Sequence, residues 1–269
     1  MLLLNELTVK MNLEVKKVLT EERQHFILGQ LKQHEVVKLQ DLISDTHASE
    51  STVRRDLQIL EDAGLLVRIH GGAKRVNSLH DEQDQAEKAV INVHDKERVA
   101  QAALKTLCRD DVIYLDAGTT TQALIPLIRP ELNLTVVTNG VDNASLLADY
   151  HVHTLLLGGT LKPATKAIIG SSVTTRLSQL RFNKAYLGTN GIHPHYGLTT
   201  PDPDEADIKR MAIQQAEQTY ILTDPSKFNQ ISFAKFGELN DATILTTKLP
   251  KNLHHQYHTL TNLEEVAQI

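Results

Sequence analysis

The chain has 269 residues, of which 41% are hydrophobic, with a net charge of −5, a single cysteine and no tryptophan. That length supports about two domains, each with a core of its own. The negative balance excludes a uniformly basic nucleic-acid coat, lone Cys108 excludes an internal disulfide, and an aromatic content of 4% argues against a stacking platform for RNA or single strands.

The opening Met1-Leu2-Leu3-Leu4 is too short for a secretory core and gives way at once to Asn5, Glu6 and Lys10. No segment approaches the ~20 apolar residues of a membrane span, so a cytoplasmic protein that binds no membrane is expected. Residues 1–20 read as an extension. Residues 21–34 place Phe26, Ile27 and Leu31 at helical spacing, and Leu39, Leu42 and Ile43 predict a second, short helix. After the turn Thr46-His47-Ala48, Ser49 stands where it can cap a third helix whose Val53, Leu57 and Leu60 recur at i, i+4, i+7 on a buried face. The opposite face carries Ser51, Arg55 and Gln58, with Arg54 beside them. These are the groups that bond to phosphates and base edges when a helix enters the major groove.

Gly64 predicts the end of that helix, and residues 65–69 read as a strand that turns through His70-Gly71-Gly72-Ala73 into Lys74-Arg75-Val76. The order is that of a helix-turn-helix followed by a β-wing, in which Arg68, Lys74 and Arg75 could lay cations along a phosphate backbone. The competing reading is a small helical packing module with a solvated charged face. Residues 16–76 hold 10 Lys and Arg against 9 Asp and Glu, and the remainder 18 against 24. DNA binding would thus rest on a few placed cations, with a mildly acidic body discouraging indiscriminate adhesion.

Apolar periodicity disappears between 77 and 87 among Asp, Glu, Gln and Ser, so residues 77–94 are expected to form a linker. From Asp95, a helix-capping type, a helix resumes with Val99, Ala102, Ala103 and Leu107 inward, and Cys108 is expected to be a small buried hydrophobe beside Leu107. Over 95–269, short apolar runs alternate with helical stretches, which predicts an α/β domain with a mostly parallel sheet. The strands fall at 112–115, 134–137, 154–157, 184–187, 220–222 and 244–246.

Open α/β sheets bind ligands at the carboxyl ends of their strands. Four of these strands are followed by glycine-rich or polar segments: Asp116-Ala117-Gly118-Thr119-Thr120-Thr121, Thr138-Asn139-Gly140, Gly158-Gly159 and Gly188-Thr189-Asn190-Gly191. The first suits an anion, because glycine lets backbone amides approach it and hydroxyls surround it. Glu205 and Lys209 lie at i, i+4 on a helix expected over 204–217, and Asp224 and Lys227 follow another strand; a lysine there suits an anionic ligand. The 13 histidines include His151/His153, His193/His195 and His254/His255/His258, which fall at expected loops without zinc-like spacing, so no metal is expected.

Thr52-Val53-Arg54-Arg55-Asp56-Leu57, Gly64 and His70-Gly71-Gly72-Ala73 resemble the N-terminal signature of the DeoR family of bacterial transcription regulators. Asp116-Ala117-Gly118-Thr119-Thr120, Thr138-Asn139, Gly158-Gly159 and Asp224-Pro225-Ser226-Lys227-Phe228 are similar to that family's C-terminal sensor. The resemblance covers about residues 21–247. It implies a winged helix-turn-helix over 21–76 joined to a ribose-5-phosphate isomerase-like sensor that binds a phosphorylated sugar, in a repressor of a sugar operon. It assigns the recognition helix to Ser51, Thr52, Arg54 and Arg55; Gln58 on the outward face of that helix and Arg68, His70 and Lys74 of the wing are the further DNA contacts expected from the residues themselves. It assigns the effector site to Asp116, Gly118, Thr119, Thr120 and Asn139, with Lys209 and Lys227 beside them. Gly158, Gly159, Asn190 and Glu205 complete the expected pocket.

The run from Gly188 to Ala206 is similar to the regulators of fructose phosphotransferase operons in Gram-positive bacteria, which implies fructose 1-phosphate as effector and no resident cofactor. Asn183 departs from the family's usual aspartate and is expected to alter a contact near the site. The expected partners are double-stranded operator DNA, the phosphorylated sugar and further copies of the chain. A sugar-phosphate isomerase carrying a DNA-binding domain is the alternative, with Glu205 as its proton-shuttling carboxylate.

Overall fold

The structure, a computed structural model, describes residues 20–34, 36–75, 79–80, 82 and 84–266, the Lys32 side chain excepted. Residues 1–19 of the expected extension, Val76 of the expected wing, and Asn77, Ser78, Asp81 and Gln83 of the expected linker lie outside the described residues. The chain divides into two compact units, Met1–Asn77 and Ser78–Ile269.

The first unit runs α1 (Thr20–Gln33), β1 (Val36–Lys38), α2 (Leu39–Thr46), α3 (Glu50–Asp62), β2 (Leu66–Ile69) and β3 (Gly72–Arg75). Ile27, Leu31, Leu39, Leu42, Val53, Leu57, Leu60 and Leu66 share one core, each at most 4% exposed. Ser49 caps α3 by accepting the Thr52 amide at 3.2 Å. At the other end Gly64, at φ 71°, allows the amides of Gly64 and Leu65 to bond back to Glu61 and Leu60 at 2.8 and 2.9 Å. The short β1, absent from the sequence reading, pairs with β3 to give the sheet order β1-β3-β2. A Cβ on residue 72 would stand 2.0 Å from the Val37 carbonyl oxygen, so the second glycine of the tetrad is what lets β1 approach. A charged pair also lies in this core: the guanidinium of Arg23 bonds to Asp56, and the two residues are 6% and 2% exposed.

The second unit opens with α4 (Gln85–Val90) and α5 (Val93–Leu104), followed by β4 (Val112–Leu115), α6 (Thr119–Gln122), β5 (Thr135–Thr138), α7 (Val141–Asp149) and β6 (His153–Leu156). The hairpin β7 (Thr160–Lys162) and β8 (Ala167–Ile169) leads to α8 (Ser171–Leu177) and β9 (Phe182–Leu187). Then come β10 (Gly191–His193), β11 (Gly197–Thr200), α9 (Pro203–Gln215), β12 (Ala216–Leu222), β13 (Ala234–Gly237), β14 (Thr243–Thr247), α10 (Lys251–Tyr257) and β15 (Asn262–Val266). Seven strands form one parallel sheet in the order β15-β14-β12-β9-β4-β5-β6.

Period-two alternation sends Ile113, Leu115, Tyr186 and Leu222 to one face, under Val99, Ala100 and Ala103 of α5 and Leu147 of α7. Tyr114, Ala185, Leu187 and Ile221 go to the other, under Val173 of α8 and Ala206, Ile208 and Ala212 of α9. Helices cover both faces, as a parallel sheet requires.

Three local expectations are corrected. The segment expected as a linker carries α4, whose Gln85 is buried with its amide bonded to the Ala164 carbonyl at 2.9 Å; the contacts are polar, so no apolar period marked them. Helix α5 begins at Val93 with Asn92 at its cap, ahead of Asp95. Cys108 is exposed rather than buried: its amide is held by the Asp111 carboxylate at 2.8 Å in the turn before β4, and Leu107 takes the core position.

Candidate functional site

Strands β12, β9, β4 and β5 are adjacent and parallel, so the residues that follow them, Asp224, Gly188, Asp116 and Asn139, emerge along one edge of the sheet. They line a pocket of about 810 Å³, part of it open to solvent. Of the eleven residues expected at an effector site, Asp116, Gly118, Thr119, Thr120, Asn139, Asn190, Glu205, Lys209 and Lys227 line it. Gly158 and Gly159 do not. They follow β6 at the sheet's edge, and a Cβ on Gly159 would meet the Ile169 carbonyl at 2.7 Å, so its role is packing against β8.

Several of these residues are fixed by partners in the wall. Asp116 accepts the Gly188 amide at 3.0 Å and the Lys209 ammonium, and Lys209 also donates to the Gly188 carbonyl at 3.1 Å. Asn139 accepts from the Tyr114 hydroxyl at 2.9 Å and donates to the Ile168 carbonyl at 3.1 Å. Thr121 ties the turn before α6, accepting the Gly118 amide at 3.1 Å and donating to the Asp116 carbonyl at 2.6 Å. Thr119 and Thr120 contrast with these. Their hydroxyls have no partner among the described residues, and their amides open α6, where no carbonyl of the same helix can reach them.

Four lysines, Lys88, Lys96, Lys209 and Lys227, share the pocket with three acids, Asp116, Glu205 and Asp224. Lys209 is paired with Asp116, and Glu205 accepts from the Thr165 hydroxyl at 2.8 Å and from Lys162 at 3.3 Å. Burial pushes the Lys88 ammonium below its usual range against the pull of Glu82 and Glu205. Burial also lowers Lys96 to about 8, opposed by Asp224 and reinforced by Lys227 and Lys88. The lining contributed by α4, α5 and the cap between them, namely Gln85, Lys88, Asn92 and Lys96, has no signal in the sequence. Lysines in a polar, aperiodic stretch look like any solvated surface.

Beside the pocket, Glu82, Asp202 and Glu205 offer carboxylate oxygens within 4.8 Å of one another. The cation they surround is Lys162, at 2.5, 2.6 and 3.3 Å. Burial works against its charge, but the bonds to Asp202 and Glu82 outweigh it and raise the ammonium above its usual range. Asn183 is also away from the site: it stands near the start of β9, where its side-chain oxygen accepts the Val112 amide at 2.9 Å.

In the first unit, α3 presents Ser51, Arg54 and Arg55 to solvent, with Thr52 half-buried. Arg54 is paired with Glu50 at 2.7 Å, whereas Arg55 has no partner among the described residues. Gln58 and Arg68 bond to each other, and Gln58 also holds Asp62 at 2.8 Å, so these two couple α3 to the wing. His70 and Lys74 are exposed, Lys74 on β3 and His70 at the turn before it.

A model of the DeoR C-terminal sensor domain matches residues 91–248, more than half of the chain, and one of the DeoR-like helix-turn-helix domain matches residues 23–79. The chain belongs to the DeoR family. It is 46% identical to the uncharacterized HTH-type transcriptional regulator FruR of Bacillus subtilis, across 93% of this chain and 99% of that one. It is 32% identical to the lactose phosphotransferase system repressor of Staphylococcus epidermidis, across 78% and 85%. A D-ribose-5-phosphate isomerase in complex with phospho-erythronic acid is 19% identical, with a TM-score of 0.38 over 49% of this chain and 52% of the other, a likeness too slight to bear on the site.

As a DeoR member the chain is a DNA-binding transcriptional regulator and not an enzyme, which overturns the isomerase alternative. The hydrogen bonds and ion pair of Glu205 to Thr165 and Lys162 give that carboxylate a positioning task instead. No helix among the described residues is long and apolar enough to cross a membrane.

Proposed function

We propose that this regulator represses a sugar-metabolism operon and releases its operator on binding a phosphorylated sugar in the pocket of the second unit, fructose 1-phosphate being the first to try. The observation that carries the reading is the pairing, in one pocket, of Thr119 and Thr120 hydroxyls without a partner among the described residues, and of helix-opening amides, with four lysines. Anions are stabilised by such amides, and phosphate by such ammoniums. The relative named as a lactose phosphotransferase system repressor supports the reading of a sugar operon.

The same reading gives DNA contact to Ser51, Thr52, Arg54, Arg55, His70 and Lys74, while Gln58 and Arg68 hold the wing against α3. Association of copies of the chain would set two recognition helices into successive major grooves. A sugar phosphate loosens that grip by binding the DNA-incompetent arrangement more tightly than the competent one.

Arg55 is the test on the DNA side, because its guanidinium is exposed and has no partner among the described residues. Arg55→Ala is expected to weaken binding to the DNA upstream of the protein's own gene roughly 10–100-fold at every effector concentration, as measured by fluorescence anisotropy. Arg54→Ala should cost less, since Glu50 already engages that side chain. Unchanged binding by Arg55→Ala would remove α3 as the reader.

A further inference from the structure

The opening stretch of the second unit is more than a tether. Gln85 and Lys88 of α4, Lys96 of α5 and the Asn92 cap between the two helices form part of the pocket wall, although they precede the first strand of the sensor sheet in sequence. The stretch is anchored to the sensor at two points ahead of these lysines: Glu82 pairs with Lys162 at 2.5 Å, and the Gln85 amide bonds to the Ala164 carbonyl at 2.9 Å. The buried Lys96 ammonium reaches from α5 to the Lys88 carbonyl in α4 and so joins the two helices. The Lys88 and Lys227 ammoniums face the same pocket, and neither has a hydrogen-bond or ion-pair partner among the described residues. Unpaired lysines are costly when half-buried, and a ligand carrying two negative charges would offset that cost.

We propose that Lys88 and Lys96 bind the anionic group of the effector directly, so that the segment leading out of the DNA-binding unit is itself a wall of the effector site and is clamped by occupancy. The inference rests on the sugar-phosphate reading above and adds to it where the anion is held and which segment senses it. Effector binding then needs no long relay, because the ligand touches the stretch that joins sensor to DNA reader.

A proton accompanies the anion. The charged groups facing Lys96 are Asp224 and Lys227 in the turn after β12 and Lys88 on α4. Lys96 titrates at about 8, so part of the population lacks its proton at pH 8, and a phosphate dianion favours the protonated form. Affinity should therefore hold up to about pH 7 and fall, by up to roughly tenfold per pH unit, above 8; below about pH 6 the phosphate itself takes up a proton.

The test is calorimetric titration of the full chain with fructose 1-phosphate, glucose 6-phosphate and inorganic phosphate at pH 8, in two buffers of different ionisation enthalpy. It is applied to the parent, to Lys88→Gln and Lys96→Gln, and to Lys166→Gln as a control on the exposed Lys166–Asp142 pair outside the pocket. Hydrogen exchange over residues 84–92 is followed in parallel. The parent is expected to take up a measurable fraction of a proton and to gain protection over 84–92 on binding. Lys88→Gln and Lys96→Gln should each weaken binding roughly 10–100-fold, Lys96→Gln should reduce the proton uptake, and Lys166→Gln should change nothing. Parent binding with both pocket variants unaffected would overturn this inference alone. A parent that binds none of the three ligands would overturn the sugar-phosphate reading and this inference with it.

Discussion

The Asp56→Ala variant is expected to lose operator binding because its DNA-binding unit unfolds, while its effector pocket keeps working. Asp56 lies on the inner side of the recognition helix, 2% exposed, and its carboxylate pairs with Arg23 of α1, with Gln24 bonding to its other oxygen at 3.4 Å. Truncating one partner of such a pair leaves the other charge buried and uncompensated, at a cost of about 3–5 kcal/mol. A unit of this size has a total stability of the same order. Calorimetric melting is the measurement: the transition of the first unit should fall by tens of degrees or vanish, with the sensor's transition in place. An unshifted melt would mean that the pair is solvated and that α1 and α3 are held by Ile27, Val53 and Leu57 alone.

Thr119→Glu is expected to do the reverse. Thr119 opens α6 at the mouth of the Gly118 turn, and its side chain has no internal partner among the described residues, so the fold should tolerate the change. A carboxylate placed there opposes an anionic ligand, and like-charge juxtaposition costs several kcal/mol, enough to weaken effector binding by a hundredfold or more. Operator affinity should remain that of the parent, and release by sugar phosphate should disappear in the same anisotropy assay. A folded Thr119→Glu that no longer bound operator would contradict the division of labour between the two units.

The sequence exposes those features that repeat or that need a special residue. Three helices were legible from Ile27, Leu31, Leu39, Leu42, Val53, Leu57 and Leu60, and six strands of the large sheet from apolar runs flanked by turn residues. Three of four strand-end motifs converge on one pocket because their strands are central in a parallel sheet; Gly158-Gly159 misled because β6 is the edge strand, and nothing in a lone sequence ranks strands by position. β15 was missed because Asn262, Glu264 and Glu265 give it a polar pattern. An arginine and an aspartate on amphipathic helices carry no signal of burial in the sequence, and only the mutual satisfaction of Arg23 and Asp56 takes them inside. The wall formed by α4 and α5 was illegible for the same reason, since Glu82 and Gln85 are anchored by an ion pair and a hydrogen bond to residues 80 and 79 positions away, and Lys88 and Lys96 follow them into the pocket lining.

Control of DNA binding in the first unit by a phosphorylated sugar in the second is the proposal on which the rest depends. Its most direct test is anisotropy of a labelled fragment from upstream of the protein's own gene, bound to the full chain and titrated with fructose 1-phosphate, other hexose and pentose phosphates, and free fructose. Tight binding without effector, and release by one phosphorylated sugar but not by the free sugar, is the expected result. Binding indifferent to every phosphorylated sugar, or released equally well by free fructose, would contradict it.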